Sequence, residues 1–548
     1  MAKSHTEVRM LKGLLRFKGT VFPGVFVSFS LLSFAFVLFL TLYLADDTKL
    51  FTSLDSRIIG LLKFTLYQAF LSTVLSLLVG VLLAWALAHQ SRFRGRSLLV
   101  ALFSSSLVLP TLIVVFGLIG IFGRSGYLNQ VSLFLFDHSF GSYLYGLGGI
   151  LLAHVYLNAS FASRALLHSF ESIPKEKYKL AKSLNFSVFE RFLYVEYPAI
   201  KATLLSIGST IFLLCFTSFA VVLLLGGNPS YNTLEVAIYE AVKLDFDIAL
   251  ALKLALVQLS ISAVLVVLSS GFRTGVSNLK TSVTVIPWKE SRVLGMVQWT
   301  VIGLFTLFFI LPLVVIVLDG IGADFSRILS DALFVQSFIT SISLATVSSF
   351  LTVIIALLLS NARRGFTLST RLGSKPFSKV LDALIAFSGN LYLAIPSLVM
   401  GLGFFLMYQK YDGSQVLWST MALLTANVLM SLPFALSVLT PAMHKTAQRY
   451  DKLAFSLGLK GFTRWKYIEY PYIKSSLAYV FALAFCFSLG DLGIIALFGS
   501  DDFMTLPWYL YQLMGSYRTM DAAGVALVML VLVLGVFILI PRLFKEKM

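Results

Sequence analysis

Residues 179–201, KLAKSLNFSVFERFLYVEYPAIK, and residues 452–474, KLAFSLGLKGFTRWKYIEYPYIK, are two copies of one segment. They share 13 of 23 residues without a gap, which is far more than chance produces. The copies lie 273 positions apart in a chain of 548 residues. This spacing predicts two halves of similar structure, each containing one copy of the segment.

Each copy contains residues that favour a short helix, a turn and a second helix. Asn185 and Gly458 occupy equivalent positions, and both residue types tolerate the left-handed backbone that ends a helix. Pro198 and Pro471 are expected to open the helix that follows, where the missing N–H costs nothing. We therefore predict a helix, a turn and a second helix that leads into the next apolar segment.

Both copies also carry apolar side chains that the short helices are expected to expose. Two equivalent apolar faces indicate docking elements for a partner present in two copies. The alternative is that the loops only cap the protein and fold these side chains against it. The residues of the first copy are Leu180, Leu184, Phe186 and Phe189, each with its partner in the second copy.

The composition around these copies is that of a membrane protein. The chain is 58% hydrophobic and only 13% charged, with a mean hydropathy of +0.88. Crossing the hydrocarbon takes about 20 apolar residues per helix, and such stretches recur along the chain. We predict twelve spans: 21–44, 64–88, 98–122, 144–168, 202–225, 248–270, 298–318, 334–360, 380–408, 417–440, 476–499 and 522–541.

Basic residues lie on one side of these predicted spans. If the N-terminus is cytoplasmic, the cytoplasmic segments hold 33 of the 43 Lys and Arg residues but only nine acidic residues. This is the positive-inside pattern of membrane proteins. It predicts that both termini are cytoplasmic, and it accounts for the net charge of +17 without a nucleic-acid partner.

The repeat and the spans together predict the organisation of the chain. The first half is residues 1–270 with a loop at 171–201, and the second is 298–548 with a loop at 442–474. A cytoplasmic linker at 271–297 joins them. Six spans per half give both halves the same orientation, so the fold class is an all-α membrane protein of about twelve transmembrane helices in two parallel repeats.

The spacing within each loop resembles the EAA loop of binding-protein-dependent ABC importer permeases, E-A-A-x3-G-x9-I-x-L-P. Lys replaces the first Glu in both copies, and Asn replaces the Gly in one. The resemblance implies that these loops couple the permease to its ATPase. The matching positions include Lys179, Leu180, Ala181, Asn185 and Pro198, then Lys452, Leu453, Ala454, Gly458 and Pro471.

Longer stretches are similar to the thiamine and thiamine pyrophosphate permeases of this family. They include SLGDLGIIALFGSDDFMTLPWYLYQLMG from Ser488 and TSFAVVLLLGGNPSYNTLEVAIYEAV from Thr217. The resemblance implies the type I ABC importer permease fold in the bacterial inner membrane. It also implies two copies of a separate ATPase, which binds ATP and Mg, and a periplasmic thiamine-binding protein. The fused ferric-iron permeases share this architecture and remain the nearest alternative.

The sequence itself indicates that energy comes from outside this chain. It has no G-x-x-x-x-G-K-[ST] phosphate-binding loop, no nucleophile triad and no metal-ligand spacing among its six histidines. We therefore predict a transport subunit, without catalytic residues, a metal site or a cofactor of its own. An ion-coupled secondary transporter is the alternative from another class, but it should carry several membrane acids.

Asp491 is the one acidic residue clearly inside a predicted span, and its repeat partner is Ser218. A carboxylate in the membrane is costly unless it is paired or hydrated, and it often marks a substrate path. An acid would suit a cationic substrate such as thiamine. The alternative is a structural hydrogen bond to a neighbouring helix, favoured by the close approach that Gly490 and Gly493 allow.

Further polar residues occur at matching places in the two halves. His154 and Asn158 lie one helical turn apart, and Asn427 is the repeat partner of His154. They are candidates for lining a substrate path between the halves. The alternative is that they form hydrogen bonds between helices.

Overall fold

The computed structural model describes residues 2–44, 55–141, 143–227, 231–270, 291–371, 376–410, 414–459 and 461–544. Residues 271–290 of the predicted linker, 271–297, lie outside these ranges. In the first repeat the helices are α1 (Ala2–Leu44), α2 (Ser56–His89), α3 (Arg96–Ser104), α4 (Thr111–Phe122), α5 (Tyr127–Phe136), α6 (Leu147–Glu171), α7 (Lys175–Ser183), α8 (Val188–Arg191), α9 (Tyr197–Phe216), α10 (Ala220–Leu225), α11 (Leu234–Lys243) and α12 (Ile248–Ser270).

The second repeat contains a similar series of helices. These are α13 (Arg292–Ile321), α14 (Phe325–Ser330), α15 (Ala332–Arg371), α16 (Pro376–Asn390), α17 (Ser397–Lys410), α18 (Gln415–Ser456), α19 (Gly461–Arg464), α20 (Tyr470–Leu489), α21 (Gly493–Phe498), α22 (Leu506–Gly515) and α23 (Thr519–Leu543). A π-helical turn, Phe192–Glu196, joins α8 to α9, and its counterpart Trp465–Glu469 joins α19 to α20.

The predicted number of spans is confirmed. Among the described residues, 11 helices are long and apolar enough to cross a membrane, and the number is 12 when a bent pair, Lys379–Leu393 with Ser397–Lys410, is counted as one span. The two members of this pair meet at 87°, just before Ser397. The third predicted span, 98–122, is not one helix, because α3 ends at Ser104 and Pro110 precedes α4. Proline lacks the N–H that a continuous helix needs. The break before α4 follows from Pro110, and the bend before Ser397 follows from Pro396.

The chain forms two compact units. Unit A contains α1, α15 from Val335, α16 to α21 and the end of α23 from Leu532. Inside it, α1 packs closely against helices of the second repeat. The Oγ atoms of Ser28 and Ser388 are 2.8 Å apart, and the Tyr392 hydroxyl donates a hydrogen bond to the Leu31 carbonyl at 2.6 Å. A Cβ on Gly24 would lie 2.4 Å from the Cβ of Ala362, so only glycine permits this approach.

Unit B contains α2 to α14, α22 from Pro507 and the first part of α23. Here α13, the first helix of the second repeat, packs against helices of the first. The rings of Tyr156 and Phe309 stack with centroids 4.9 Å apart, and the Tyr156 hydroxyl donates to the Phe309 carbonyl at 2.7 Å. A Cβ on Gly117 would lie 2.7 Å from the Pro312 carbonyl oxygen.

Each compact unit therefore contains the first helix of the other repeat, and Unit B also contains α14, most of α22 and the first part of α23 from the second repeat. The predicted boundaries, 1–270 and 298–548, divide the sequence by its internal similarity. The packing follows a different division, in which α1 joins helices of the second repeat and α13 joins helices of the first.

Candidate functional site

We name the two repeated loops, 171–201 and 442–474, the coupling loops after their predicted role. The turn in each loop has the predicted backbone conformation. Asn185 has a φ of +52° and Gly458 a φ of +64°. In the first loop the Phe186 N–H donates to the Ala181 carbonyl at 3.0 Å, and the Asn185 N–H donates to the Lys182 carbonyl at 3.1 Å. These two bonds define a Schellman motif, the common end of a helix at a left-handed residue.

The second loop has an equivalent of the first of these two bonds, the one between residues five positions apart. The Leu459 N–H donates to the Ala454 carbonyl at 3.0 Å, at the position of Phe186 and Ala181 in the first loop. Ala181 and Ala454 are both buried. A small side chain at this position therefore packs under the turn while its carbonyl ends the helix.

The predicted role of the two prolines needs a correction. Pro198 and Pro471 are the second residues of α9 and α20, but neither proline opens a helix. A π-helical turn runs directly into each of these helices, so the proline lies within a continuous helical segment. In a π turn the backbone hydrogen bonds run from i to i+5, so the regular α-helical pattern is already interrupted there. The proline, which has no N–H to donate, follows directly after this interruption.

The loops present matching apolar surfaces. In the first loop Leu180, Leu184 and Phe189 are exposed, and Leu453, Leu457 and Phe462 are exposed at the equivalent positions, all six between 50% and 73%. The alternative in which these six side chains fold against the protein does not fit this exposure. Phe186 and its partner Leu459, which were also expected to be exposed, are half-buried, and the Phe186 ring lies 5.9 Å from that of Tyr194. Lys179 is also exposed, whereas the side chain of Lys452 lies outside the described residues.

The polar residues of the first repeat bond to neighbouring helices. His154 is buried, with Nδ1 2.8 Å from the Ser72 Oγ and Nε2 3.0 Å from the Ser218 Oγ. The Asn158 amide donates to the Cys215 Sγ at 3.3 Å. Both ring nitrogens of His154 are therefore engaged between α2, α6 and the segment that follows α9.

In the second repeat, Asn427 and Asp491 lie beside a break in the helix. The Asn427 amide donates to the Ser488 Oγ at 2.8 Å. After Leu489 the helix stops, and Oδ1 of Asp491 accepts the Gly493 N–H at 3.1 Å where α21 begins. The other carboxylate oxygen, Oδ2, is buried and has no hydrogen-bond partner among the described residues.

Two charge clusters beneath the loops were missed by sequence reasoning. In the second-half charge cluster, Arg364 and Arg464 each contact both Asp451 and Glu469. The first-half charge cluster contains His89, Arg191 and Glu196, with the Glu196 Oε1 3.2 Å from the His89 Nε2 and 3.3 Å from the Arg191 Nε. The sequence did contain one signal for these clusters: Arg191 is repeated as Arg464, and Glu196 is repeated as Glu469.

Comparison with known proteins agrees with the repeat. The family model described as "binding-protein-dependent transport system inner membrane component" matches residues 76–276 and 365–544. The thiamine transport system permease protein of Escherichia coli K12 is 36% identical over 529 residues, which cover 96% of this chain and 97% of that protein. The proteins of the same description from Brucella abortus 2308 and Haemophilus influenzae Rd are each 37% identical, over 89% and 87% of this chain and 88% and 87% of their own lengths.

Proposed function

Since the chain belongs to the family of binding-protein-dependent transport system inner membrane components, we propose that it is the permease subunit of an ATP-driven ABC importer for thiamine and phosphorylated thiamine. Transport runs from the periplasm to the cytoplasm. The observation that carries the substrate is the similarity to thiamine permeases along almost the whole of both chains. This similarity does not favour ferric iron.

The two coupling loops support a partner ATPase in two copies. Each loop has the same left-handed turn and exposes apolar residues at the same three positions. Two such faces suit two identical ATPase subunits, one on each loop. ATP and Mg bind to those subunits, and this chain holds neither. The excess of Lys and Arg in the segments that contain the loops supports cytoplasmic loops and cytoplasmic termini.

Asp491 is the proposed contact for the cationic substrate along the path. Its Oδ1 already accepts a backbone N–H, and its buried Oδ2 has no partner among the described residues. A thiazolium or another organic cation would supply the missing opposite charge. His154, Asn158 and Asn427 stay candidates for the same path, although their hydrogen bonds between helices favour a supporting role.

The test is ATP-dependent uptake into proteoliposomes that contain this chain, its ATPase and the periplasmic binding protein. Labelled thiamine and labelled ferric iron are compared, with a control set that lacks the ATPase. Thiamine accumulation that needs all three proteins supports the proposal. Iron accumulation would overturn the substrate, and uptake driven by an ion gradient without ATPase would overturn the class.

A further inference from the structure

The second-half charge cluster joins three elements of Unit A. Arg364 belongs to the membrane helix α15, Asp451 lies near the end of α18 before the turn, and Arg464 and Glu469 follow the turn. The Arg364 Nη1 is 2.6 Å from the Glu469 Oε1, and the Arg464 Nε is 2.9 Å from the same oxygen. The Arg464 Nη2 is 2.5 Å from the Asp451 Oδ1. Both arms of the loop are therefore tied to each other and to one membrane helix.

The charges in this cluster balance. Two arginines face two carboxylates, and the side chains are largely buried. Burial makes an unpaired charge costly, so the two arms of the loop cannot separate from α15 without exposing or isolating charges. Arginine also suits this geometry, because its planar fork can bond two carboxylates at once.

The first-half charge cluster has the same placement in Unit B. His89 lies at the end of the membrane helix α2, and Arg191 and Glu196 follow the turn at the positions of Arg464 and Glu469. Arg191 and Glu196 are both 0% exposed. The position of Asp451 is taken by Tyr178, which is also buried. In both loops a buried glutamate after the turn, Glu196 or Glu469, therefore contacts a side chain of a membrane helix and also the arginine five residues before it.

We propose that these clusters transmit the movement of the coupling loops to the membrane helices, with Arg464 and Glu469, and Arg191 and Glu196, as positioning residues. The inference rests on the proposed function, since it assigns the step between ATPase closure and the opening of the path. The apolar faces of the loops bind the ATPase, and the charge clusters behind them carry the displacement to α15 and α2. A purely structural role would instead lower the amount of assembled complex and leave each assembled complex fully coupled.

The decisive variant removes one charge of each sign. Asp451→Asn with Arg464→Gln leaves Arg364 paired with Glu469, so no buried charge is left alone. The matched control is Arg363→Gln with Asp382→Asn, which removes a partly exposed pair, 3.0 Å apart, between α16 and the residue next to Arg364 on α15. Both are measured in the complete complex as thiamine taken up per ATP and as stimulation of ATP hydrolysis by the binding protein.

We expect the cluster variant to hydrolyse ATP near the basal rate while uptake per ATP falls between about 2-fold and about 30-fold. Stimulation by the binding protein should fall by a similar factor, and the control should keep both values. Arg464→Lys gives a second test, because lysine keeps the charge but cannot hold both carboxylates with one fork. Unchanged uptake per ATP and unchanged stimulation in the assembled variants would overturn the inference.

The same experiment separates this inference from the proposed function. A wild-type complex that shows stimulation by the binding protein but no thiamine uptake contradicts the substrate, and the stimulation ratio still tests the clusters. Loss of assembly in both cluster variants, with normal coupling of the fraction that remains, assigns the clusters to folding and contradicts transmission.

Discussion

Gly458 has a φ of +64°, yet no atom lies within 4 Å of the position that a Cβ would occupy. Any penalty for a larger residue there comes from the backbone and not from crowding. In the first loop Asn185 adopts the same conformation with a φ of +52°. Substitutions at Gly458 therefore separate backbone strain from side-chain crowding. A large residue that tolerates left-handed backbone should be accepted there, whereas a β-branched residue should be strained.

We predict that Gly458→Val weakens binding of the ATPase, because left-handed backbone costs about 1–2 kcal/mol for an ordinary residue. This corresponds to a roughly 5- to 30-fold shift away from the turn. Gly458→Asn is the matched control and should behave nearly as wild type. The measurement is the amount of ATPase that copurifies with the permease. Equal amounts for Val and Asn would contradict the argument from backbone conformation.

Asp491 offers a second prediction at this scale. Asp491→Asn keeps an oxygen to accept the Gly493 N–H but removes the charge. Because a neutral amide no longer offers a negative charge to the thiazolium, the KM for thiamine should rise about 10-fold or more while assembly is unchanged. Exposed Asp501→Asn is the control. A wild-type KM for Asp491→Asn would leave this residue with only the structural role of starting α21.

At the scale of elements, the two repeated loops have turns and apolar surfaces that the sequence made predictable. The turn depends on neighbouring residues, so Asn185, Gly458 and the apolar positions around them indicate it directly. The π turns were not predicted, because proline before an apolar run is equally typical of a helix start. The charge clusters were missed for another reason: Arg364 and Glu469 are 105 residues apart, and no local pattern indicates which remote side chain balances a loop residue.

The apolar loop faces give a prediction that compares the two halves. Phe189→Ala and Phe462→Ala should each weaken ATPase binding about 10-fold or more, because burying a phenylalanine contributes roughly 1.5–3 kcal/mol. The double variant should lose the ATPase almost completely. Leu98→Ala, at an exposed residue outside the loops, is the control. The measurement is an ATPase titration, and a loss confined to one half would show that the loops are not equivalent.

At the scale of the whole molecule, hydropathy predicted the number of spans but not their grouping. Apolar length indicates that a helix crosses the membrane, and it does not indicate which other helices it packs against. The contacts of Gly24 with Ala362 and of Gly117 with Pro312 depend on small residues whose partners are remote in the sequence. The division by repeats and the division by packing therefore differ: α1 packs with the second repeat, and α13, α14, most of α22 and the first part of α23 pack with the first.

This exchange predicts the behaviour of a divided chain. If the protein is cut within residues 271–290, the second fragment lacks α1 of Unit A, and the first fragment lacks the helices of Unit B that come from the second repeat, α13 among them. We expect either fragment expressed alone to be degraded, and the two expressed together to restore uptake. The measurement is the amount of each fragment in the membrane. A stable first fragment on its own would contradict the importance of α13 for Unit B.

The exchange of first helices also determines the order in which the protein can be completed during translation. The helix α1 leaves the ribosome about 330 residues before α16, against which it finally packs, and synthesis of that interval takes roughly 15 to 70 s. Throughout this time Gly24 and Ser28 have no partner helix, although they later lie in close contacts. The newly made α1 must therefore wait in the lipid, or be held by the insertion machinery, until the second repeat has been synthesised.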